Sequence, residues 1–489
     1  MSFNHDRNLR KAICCSTSLD YSELLIRFEI EVVLFLFFYQ YLVMRRITAI
    51  AIILTGFLAT TLSSPVANAQ LTNETREQKL ERMKWWTDAR FGMFIHWGLY
   101  SLPARHEWVK YYERLTNEDY QKYFDHFDPD LFNPKEWAKM AKEAGMKYVV
   151  LTSKHHEGFC LWDSKYTDYK STNTPAGRDL IREFVDAFRA EGIRIGFYYS
   201  LLDWHHPDYT IDSRHPQRID NGTKKDYDAL NKGKNMDVYR KYMKDQVTEL
   251  LTNYGKIDII WFDFSFPGEN GKGRDDWDSV GLLKLARSLQ PGIIVDDRLD
   301  LKDTWGGWDI FTPEQRKVSE CPTWNGEKVT WETCQTFSGS WGYYRDETTW
   351  KSVPQLLELL IETVSKEGNL LLNVGPTSRG EFDYRAQDRL AGIGKWMHSN
   401  SRSIYGCTAA PAEFEAPERT ILTYNPTTNR LYIHLIDYPL SRLAISFADK
   451  IEYAQFLHDG SEISFDKEFI YTPVVKPETE VPVIEVFLK

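Results

Sequence analysis

Between about residue 85 and residue 405, apolar runs of strand length alternate with longer stretches whose apolar positions recur at helical spacing. The strand-like runs are "RFGMFIHWG", "YVVLTSKHH", "IRIGFYYSLLDW", "IDIIWFDFS", "GIIVDDR", "WDIFTPE", "WETCQTF" and "NLLLNVGP". Between them, "DLIREFVDAFRAEG" places Leu180, Ile181, Phe184, Val185 and Phe188 on one helical face, and "MDVYRKYMKDQVTELLTNYG" stops at Gly255, just before the next run. Eight strands with helical crossovers predict an α/β fold, a (β/α)8 TIM-like barrel, in which functional residues gather at the C-terminal strand ends. The competing architecture is a doubly wound open sheet, but no Gly-x-Gly-x-x-Gly turn opens a helix, so a dinucleotide site has little support.

After about residue 407 the texture changes to short alternating runs, "RTILTYNP", "RLYIHLIDYP", "RLAISFAD" and "VPVIEVFLK", separated by Pro, Asn and Asp turns. This pattern predicts a small antiparallel β-sandwich. The domain expectation is a barrel over 70–406 and a sandwich over 407–489. Before the barrel, "MRRITAIAIILTGFLATTLSSPVANAQ" has two arginines, an apolar stretch and then Ala67-Asn68-Ala69, the layout of a cleaved export signal. It predicts a signal peptide over 44–69, a cut after Ala69, and a periplasmic or secreted mature protein with no membrane span. Residues 1–43 are then a non-native extension and translation starts at Met44. The rival reading joins "EVVLFLFFYQYLV" to the following segment as a membrane anchor, although neither apolar run reaches the ~20 residues that span a bilayer.

Composition narrows the partners. A formal net charge of −10 argues against a nucleic-acid binder, which usually carries a basic face. Aromatics make up 14% of the chain, with 16 Trp and 27 Tyr, enough to line both a core and a site for sugar-like rings. Of the six cysteines, Cys14 and Cys15 precede the predicted mature protein. Cys160, Cys321, Cys334 and Cys407 are far apart and without metal-ligand spacing; export permits a disulfide among them, but most read as buried free thiols.

The candidate chemistry lies at the strand ends: His96 and Trp97, His155 and His156, Tyr198, Trp261 and Asp263, Arg298, and Glu314. Asp263 ends an apolar run, "IDIIWFD", where a carboxylate is costly unless it is paired or used. Strand period two puts Trp261 and Asp263 on one face, and Asp296 and Arg298 together on another. Asp263 and Glu314 could supply the two carboxylates of glycoside hydrolysis. Arg298 would hold Asp263 ionised as nucleophile, while Glu314 in a more apolar setting would keep its proton as acid/base. The plainer alternative makes Asp263 half of a structural ion pair and Glu314 the start of a helix after Thr312-Pro313. His155, His156 and His96 with a carboxylate could hold zinc or iron, but adjacent strand histidines point to opposite faces and "KHHEG" lacks a shared-metal spacing.

Several of these segments together, "FGMFIHWGLYS", "KYVVLTSKHHEGFCLWDSKYTDY", "GFYYSLLDWHHPDY", "IDIIWFDF", "WETCQTFSGSWGY" and "GNLLLNVGPTSRGEF", closely resemble the α-L-fucosidases of glycoside hydrolase family 29, in order from about Trp85 to Tyr405. The resemblance implies a retaining exo-glycosidase on a (β/α)8 barrel with a β-sandwich, acting on terminal α-L-fucose of glycans without metal or cofactor. It puts the nucleophile on Asp263 and the acid/base on Glu314, with Glu320, Glu327 and Glu332 as fallback acids. It puts the sugar pocket on His96, Glu107, Trp108, His155, His156, Tyr198, Trp261, Arg298 and Trp341. Phe264 departs from the pattern, since many members have glycine there, and the ring is expected to narrow the mouth. The alternatives are a non-catalytic fucose- or glycan-binding barrel, an α-L-galactosidase-like relative, and a metal-dependent hydrolase built on the histidines.

Overall fold

The computed structural model describes residues 71–489; the predicted leader, its cleavage site and the extension before it lie outside these residues. Six of the eight predicted runs become full strands of one parallel sheet, and "GIIVDDR" shrinks to two residues. In chain order the strands are β1 (Phe91–Ile95), β2 (Tyr148–Lys154), β3 (Arg194–Ser200), β4 (Ile259–Asp263), β5 (Ile294–Val295), β6 (Glu332–Thr336) and β7 (Asn369–Val374). They pair in the order β5-β4-β3-β2-β1-β7-β6. The remaining run, "WDIFTPE", forms no ladder of its own. It closes the sheet through single parallel bridges, Asp296 to Ile310 on one side and Phe311 to Trp331 and Glu314 to Cys334 on the other. The result is a (β/α)8 barrel whose sixth strand position is irregular.

The sequence around that position accounts for the irregularity. Asp296 Oδ1 accepts the Phe262 backbone N–H at 3.0 Å, and Asp297 Oδ1 accepts the Thr312 N–H at 3.1 Å. Side-chain acceptors thus replace carbonyls that a regular ladder would use, and Pro313 has no N–H to offer.

The helices pack outside: α1 (Arg76–Ala89) before the barrel, then α2 (Pro134–Glu143), α3 (Leu180–Ala190), α4 (Met236–Asn253), α5 (Ser279–Leu289), α6 (Val353–Ser365) and α7 (Tyr384–Asn400). The α3 face expected from spacing is the buried one: Leu180, Ile181, Phe184, Val185 and Phe188 all face the core, and Asp179 caps the helix. Inside the barrel, Phe94, Val150, Tyr198, Trp261, Ile310, Cys334 and Leu371 form a separate apolar cluster with Met83 and Trp86 of α1. The Thr75/Gln78 capping box starts α1, and the Asn369 amide donates to the Trp86 carbonyl at 2.7 Å, so the helix is tied to the strands beside it.

Beyond the barrel the chain forms an antiparallel β-sandwich of β8 (Thr408–Ala409), β9 (Thr420–Asn425), β10 (Arg430–Leu435), β11 (Arg442–Ala444), β12 (Ile451–Phe456), β13 (Phe469–Tyr471) and β14 (Val483–Leu488). Five strands pair in the order β8-β9-β10-β14-β12, and β11 pairs with β13. The four predicted runs are β9, β10, β11 and β14. The strand β12 escaped prediction because a bulge between Ile451 and Tyr453 breaks its period of two.

Candidate active site

The barrel brings the predicted site residues to one cavity of about 320 Å³, with Trp97 the exception: His96, Glu107, Trp108, His155, His156, Tyr198, Trp261, Asp263, Arg298, Glu314 and Trp341 all line it, while the Trp97 ring packs into the core against Phe127, Phe132 and Trp137. Their chain positions explain the convergence. His96 follows β1, His155 and His156 follow β2, Tyr198 lies near the end of β3, and Trp261 and Asp263 lie on β4. Arg298 comes just after β5, and Glu314 comes from the irregular closing segment.

Arg298 organises the acids. Its Nη1 donates to Asp263 Oδ1 at 2.8 Å, and its Nη2 lies 2.9 Å from Glu314 Oε2, so one guanidinium holds both carboxylates. The guanidinium lies 4.4 Å from the Trp261 ring centroid, and its Nε donates to Thr312 Oγ1 at 3.2 Å. Thr312 is in turn held by Asp297. The second Asp263 oxygen accepts the Tyr198 hydroxyl at 2.8 Å and has His156 Nε2 at 3.8 Å. The neighbouring carboxylates keep Arg298 charged, and burial beside Asp263 pushes the Tyr198 hydroxyl well above its ordinary range.

Two of the three imidazoles are held by a hydrogen bond on one nitrogen each, while the buried Nδ1 of His155 has no hydrogen-bond partner. His96 Nδ1 meets Asn373 Oδ1 at 2.6 Å, and His156 Nδ1 meets Ser200 Oγ at 2.7 Å. Burial holds both rings well below the usual histidine range, so they are neutral at neutral pH. Glu107 Oε2 accepts the Gly342 backbone N–H at 2.9 Å, while its buried Oε1 has no hydrogen-bond partner.

Three expectations are corrected. Adjacent histidines were expected on opposite faces, but β2 ends at Lys154; His155 and His156 lie beyond it, their rings are 4.1 Å apart, and both line the cavity. Asp296 does not line the cavity with Arg298, because its carboxylate is drawn to the Phe262 backbone and the strand stops at Val295. Glu314 is not in an apolar setting either: its side chain is 43% exposed and paired with Arg298. It starts no helix.

A sequence profile of the α-L-fucosidase family matches residues 58–402. The chain belongs to the α-L-fucosidase family. The tissue α-L-fucosidase of Mus musculus is 32% identical over 382 residues, 73% of this chain and 78% of its own length. Among solved structures, α-L-fucosidase isoenzyme 1 from Paenibacillus thiaminolyticus is 42% identical with a TM-score of 0.78, covering 84% of this chain and 99% of its own. A family 29 α-L-fucosidase from Bacteroides thetaiotaomicron, trapped as a covalent intermediate in complex with 2-fluoro-fucosyl fluoride, gives 29% identity and a TM-score of 0.73 over 87% of this chain and 99% of its own.

Within the α-L-fucosidase frame, the fallback acids separate by position. Glu332 is buried in the barrel, where the Tyr148 hydroxyl donates to it, and Glu327 pairs with Arg76 on the surface. Neither lines the cavity, nor does Glu320. Phe264, the departure from the family pattern, has φ of 84° and sets its ring 5.3 Å from those of Trp108, tilted, and His156, edge to face. A positive φ is where glycine is at ease and an aromatic residue is strained. Sequence reasoning missed Asn373 and Ser200, which orient the histidines. Both are polar residues near the ends of β7 and β3, so the strand-end rule that found the others would have found them.

Proposed function

We propose that this chain hydrolyses terminal α-L-fucosides by double displacement, with Asp263 as nucleophile and Glu314 as acid/base. The observation that carries the assignment is Arg298 spanning the two carboxylates at 2.8 and 2.9 Å. Asp263, held by Arg298 and Tyr198, attacks the anomeric carbon. As the glycosidic bond breaks, Glu314 gives its proton to the departing oxygen, and the sugar remains as an ester on Asp263. Glu314, now a carboxylate, takes a proton from water; the water oxygen attacks the same carbon and frees Asp263 with net retention. This route requires a carboxyl separation of about 5–5.5 Å in the substrate complex. The glycosidic oxygen must also take Glu314 from the Arg298 fork.

The rest of the cavity suits the sugar. The neutral His96 and His156, with His155 beside them and the unpartnered Glu107 oxygen, offer contacts to ring hydroxyls. Trp261 and Trp341 offer an apolar wall for the C5 methyl group of fucose. No step calls for a metal or cofactor. We also propose export on the leader at 44–69, which N-terminal sequencing of the mature protein tests: Gln70 is the expected first residue.

The deciding experiment is hydrolysis of an aryl α-L-fucoside by wild type, Asp263→Ala and Glu314→Ala, with and without azide. Both variants should lose at least two to three orders of magnitude in kcat. Azide should restore turnover for Glu314→Ala with retention, as α-L-fucosyl azide, whereas any azide product of Asp263→Ala should be the inverted β-L-fucosyl azide, because azide then attacks from the place of the missing nucleophile. Full activity in Glu314→Ala would move the acid/base to another residue, and an inactive wild type would revive the binding-protein reading.

A further inference from the structure

The sugar cavity opens beside Glu314 into a second, larger one of about 750 Å³. The two share Phe264, Arg298 and Glu314. An exo-acting retaining glycosidase places its acid/base against the leaving group, so the cavity that shares Glu314 is where that group would lie. We propose that this groove binds the leaving-group part of the substrate and selects one that carries negative charge, a sulfated or carboxylated sugar. The inference rests on the fucosidase reading of the neighbouring pocket.

Two features support this, one for the negative charge and one for the sugar ring that carries it. The first is charge. The chain is acidic overall, at −10, yet in this groove the five cations Arg214, Arg298, Lys302, Arg316 and Lys317 outnumber the three lining carboxylates, Asp297, Asp300 and Glu314. Most of these cations are already matched: Lys302 with Asp297 at 2.7 Å, Lys317 with Glu362 at 2.9 Å, and Arg298 with the two site carboxylates. Arg214 and Arg316 are exposed and have no carboxylate partner among the described residues. A guanidinium left unmatched beside a cavity favours a planar anion such as carboxylate, or sulfate, by charge-assisted hydrogen bonds.

The second feature is the aromatic partition. Phe264 stands between the two cavities at its strained φ of 84°, 5.5 Å from the Phe266 ring and 5.9 Å from the Arg214 guanidinium. A bulky residue is held in that backbone region at a cost in strain. The ring therefore has a position that glycine could not supply, an apolar face at the junction where a second sugar would meet the first. Phe266, Pro267 and Phe311 extend that face along the groove. A sugar ring lying on these rings with its anionic substituent toward Arg214 or Arg316 satisfies both features.

The test compares three substrates with the same fucosyl linkage: a neutral fucosylated disaccharide, its sulfated form and its uronate form, with 4-nitrophenyl α-L-fucoside as a reference. The expected result is a kcat/KM for at least one anionic form roughly tenfold above the neutral one at low ionic strength, the size of one to two partly exposed charge-assisted contacts. The advantage should shrink as salt is raised. In Arg214→Ala/Arg316→Ala the anionic-to-neutral ratio should fall toward one. Comparison of the two anionic arms tells sulfate from carboxylate. A wild-type ratio of one or below, or a preference that survives the double substitution, overturns the inference. The wild-type ratio and its salt dependence decide even if the double variant fails to fold. No hydrolysis of the reference by wild type would instead overturn the fucosidase reading, and this inference with it.

Discussion

Glu332 is 1% exposed inside the barrel, and burial pushes its carboxyl up to about 7. Hydrogen bonds to the ionised form, first among them from the Tyr148 hydroxyl, offset only part of that cost. Because its folded pKa lies above its ordinary value, the stability it contributes is present below about pH 4.5 and is lost as pH rises toward 7. Glu332→Gln removes this dependence. The stability of the variant relative to wild type should therefore increase between pH 5 and pH 8, by a few kcal/mol at most, read by chemical denaturation at each pH. A difference independent of pH would show that Glu332 is ionised at no unusual cost. The type of this residue was visible in the sequence; its burial was not, because strand alternation places it on the inner face without saying how deep the barrel floor lies.

At the scale of elements, the fit between β1 and β2 depends on Gly92. A Cβ there would sit 2.4 Å from the Tyr148 ring, which is fully buried and bonded to Glu332. Gly92→Ala should destabilise the protein by about 1–3 kcal/mol, the cost of overpacking a closed interior, as seen in a lower midpoint of thermal unfolding. An unchanged midpoint would mean that the ring moves freely. Five of the barrel strands could be read from mostly apolar runs, since each is buried on both faces, whereas β6, Glu-Thr-Cys-Gln-Thr, is as buried but largely polar and is marked only by its flanking Trp331 and Phe337. The fifth and sixth positions could not be read in the same way. Asp296, Asp297 and Pro313 interrupt the ladder there, and the same interruption brings Arg298 and Glu314 to the cavity.

For the whole molecule, the buried histidines set the response to acid. Burial holds His96 and His156 well below their ordinary range and brings His205 to about 4 and His215 and His434 to about 3. Below about pH 6.5 the unfolded chain takes up protons that the folded one refuses, so stability should fall as pH drops from 6.5 toward 4, by roughly 1.4 kcal/mol per pH unit for each such group. Glu332 and Asp296, both raised by burial, act in the opposite direction over part of this range. Five histidines outweigh two carboxyls, and unfolding midpoints measured from pH 7 to pH 4.5 should decline steadily. A flat profile would overturn this account.

The sequence by itself determined the barrel, the sandwich and which polar residues are candidates for the site, because most buried strands are apolar runs and polar residues at strand ends stand out against them. It also carried the family resemblance, which the profile and the solved relatives bear out. Only the tertiary structure decided how those residues meet. That one guanidinium holds both carboxylates, that His155 and His156 share a cavity, that Glu314 is half-exposed, and that a charged groove adjoins it all depend on distances between segments far apart in the chain. Periodicity records which face of an element is buried; it holds no information on which partner from another element comes to lie against it.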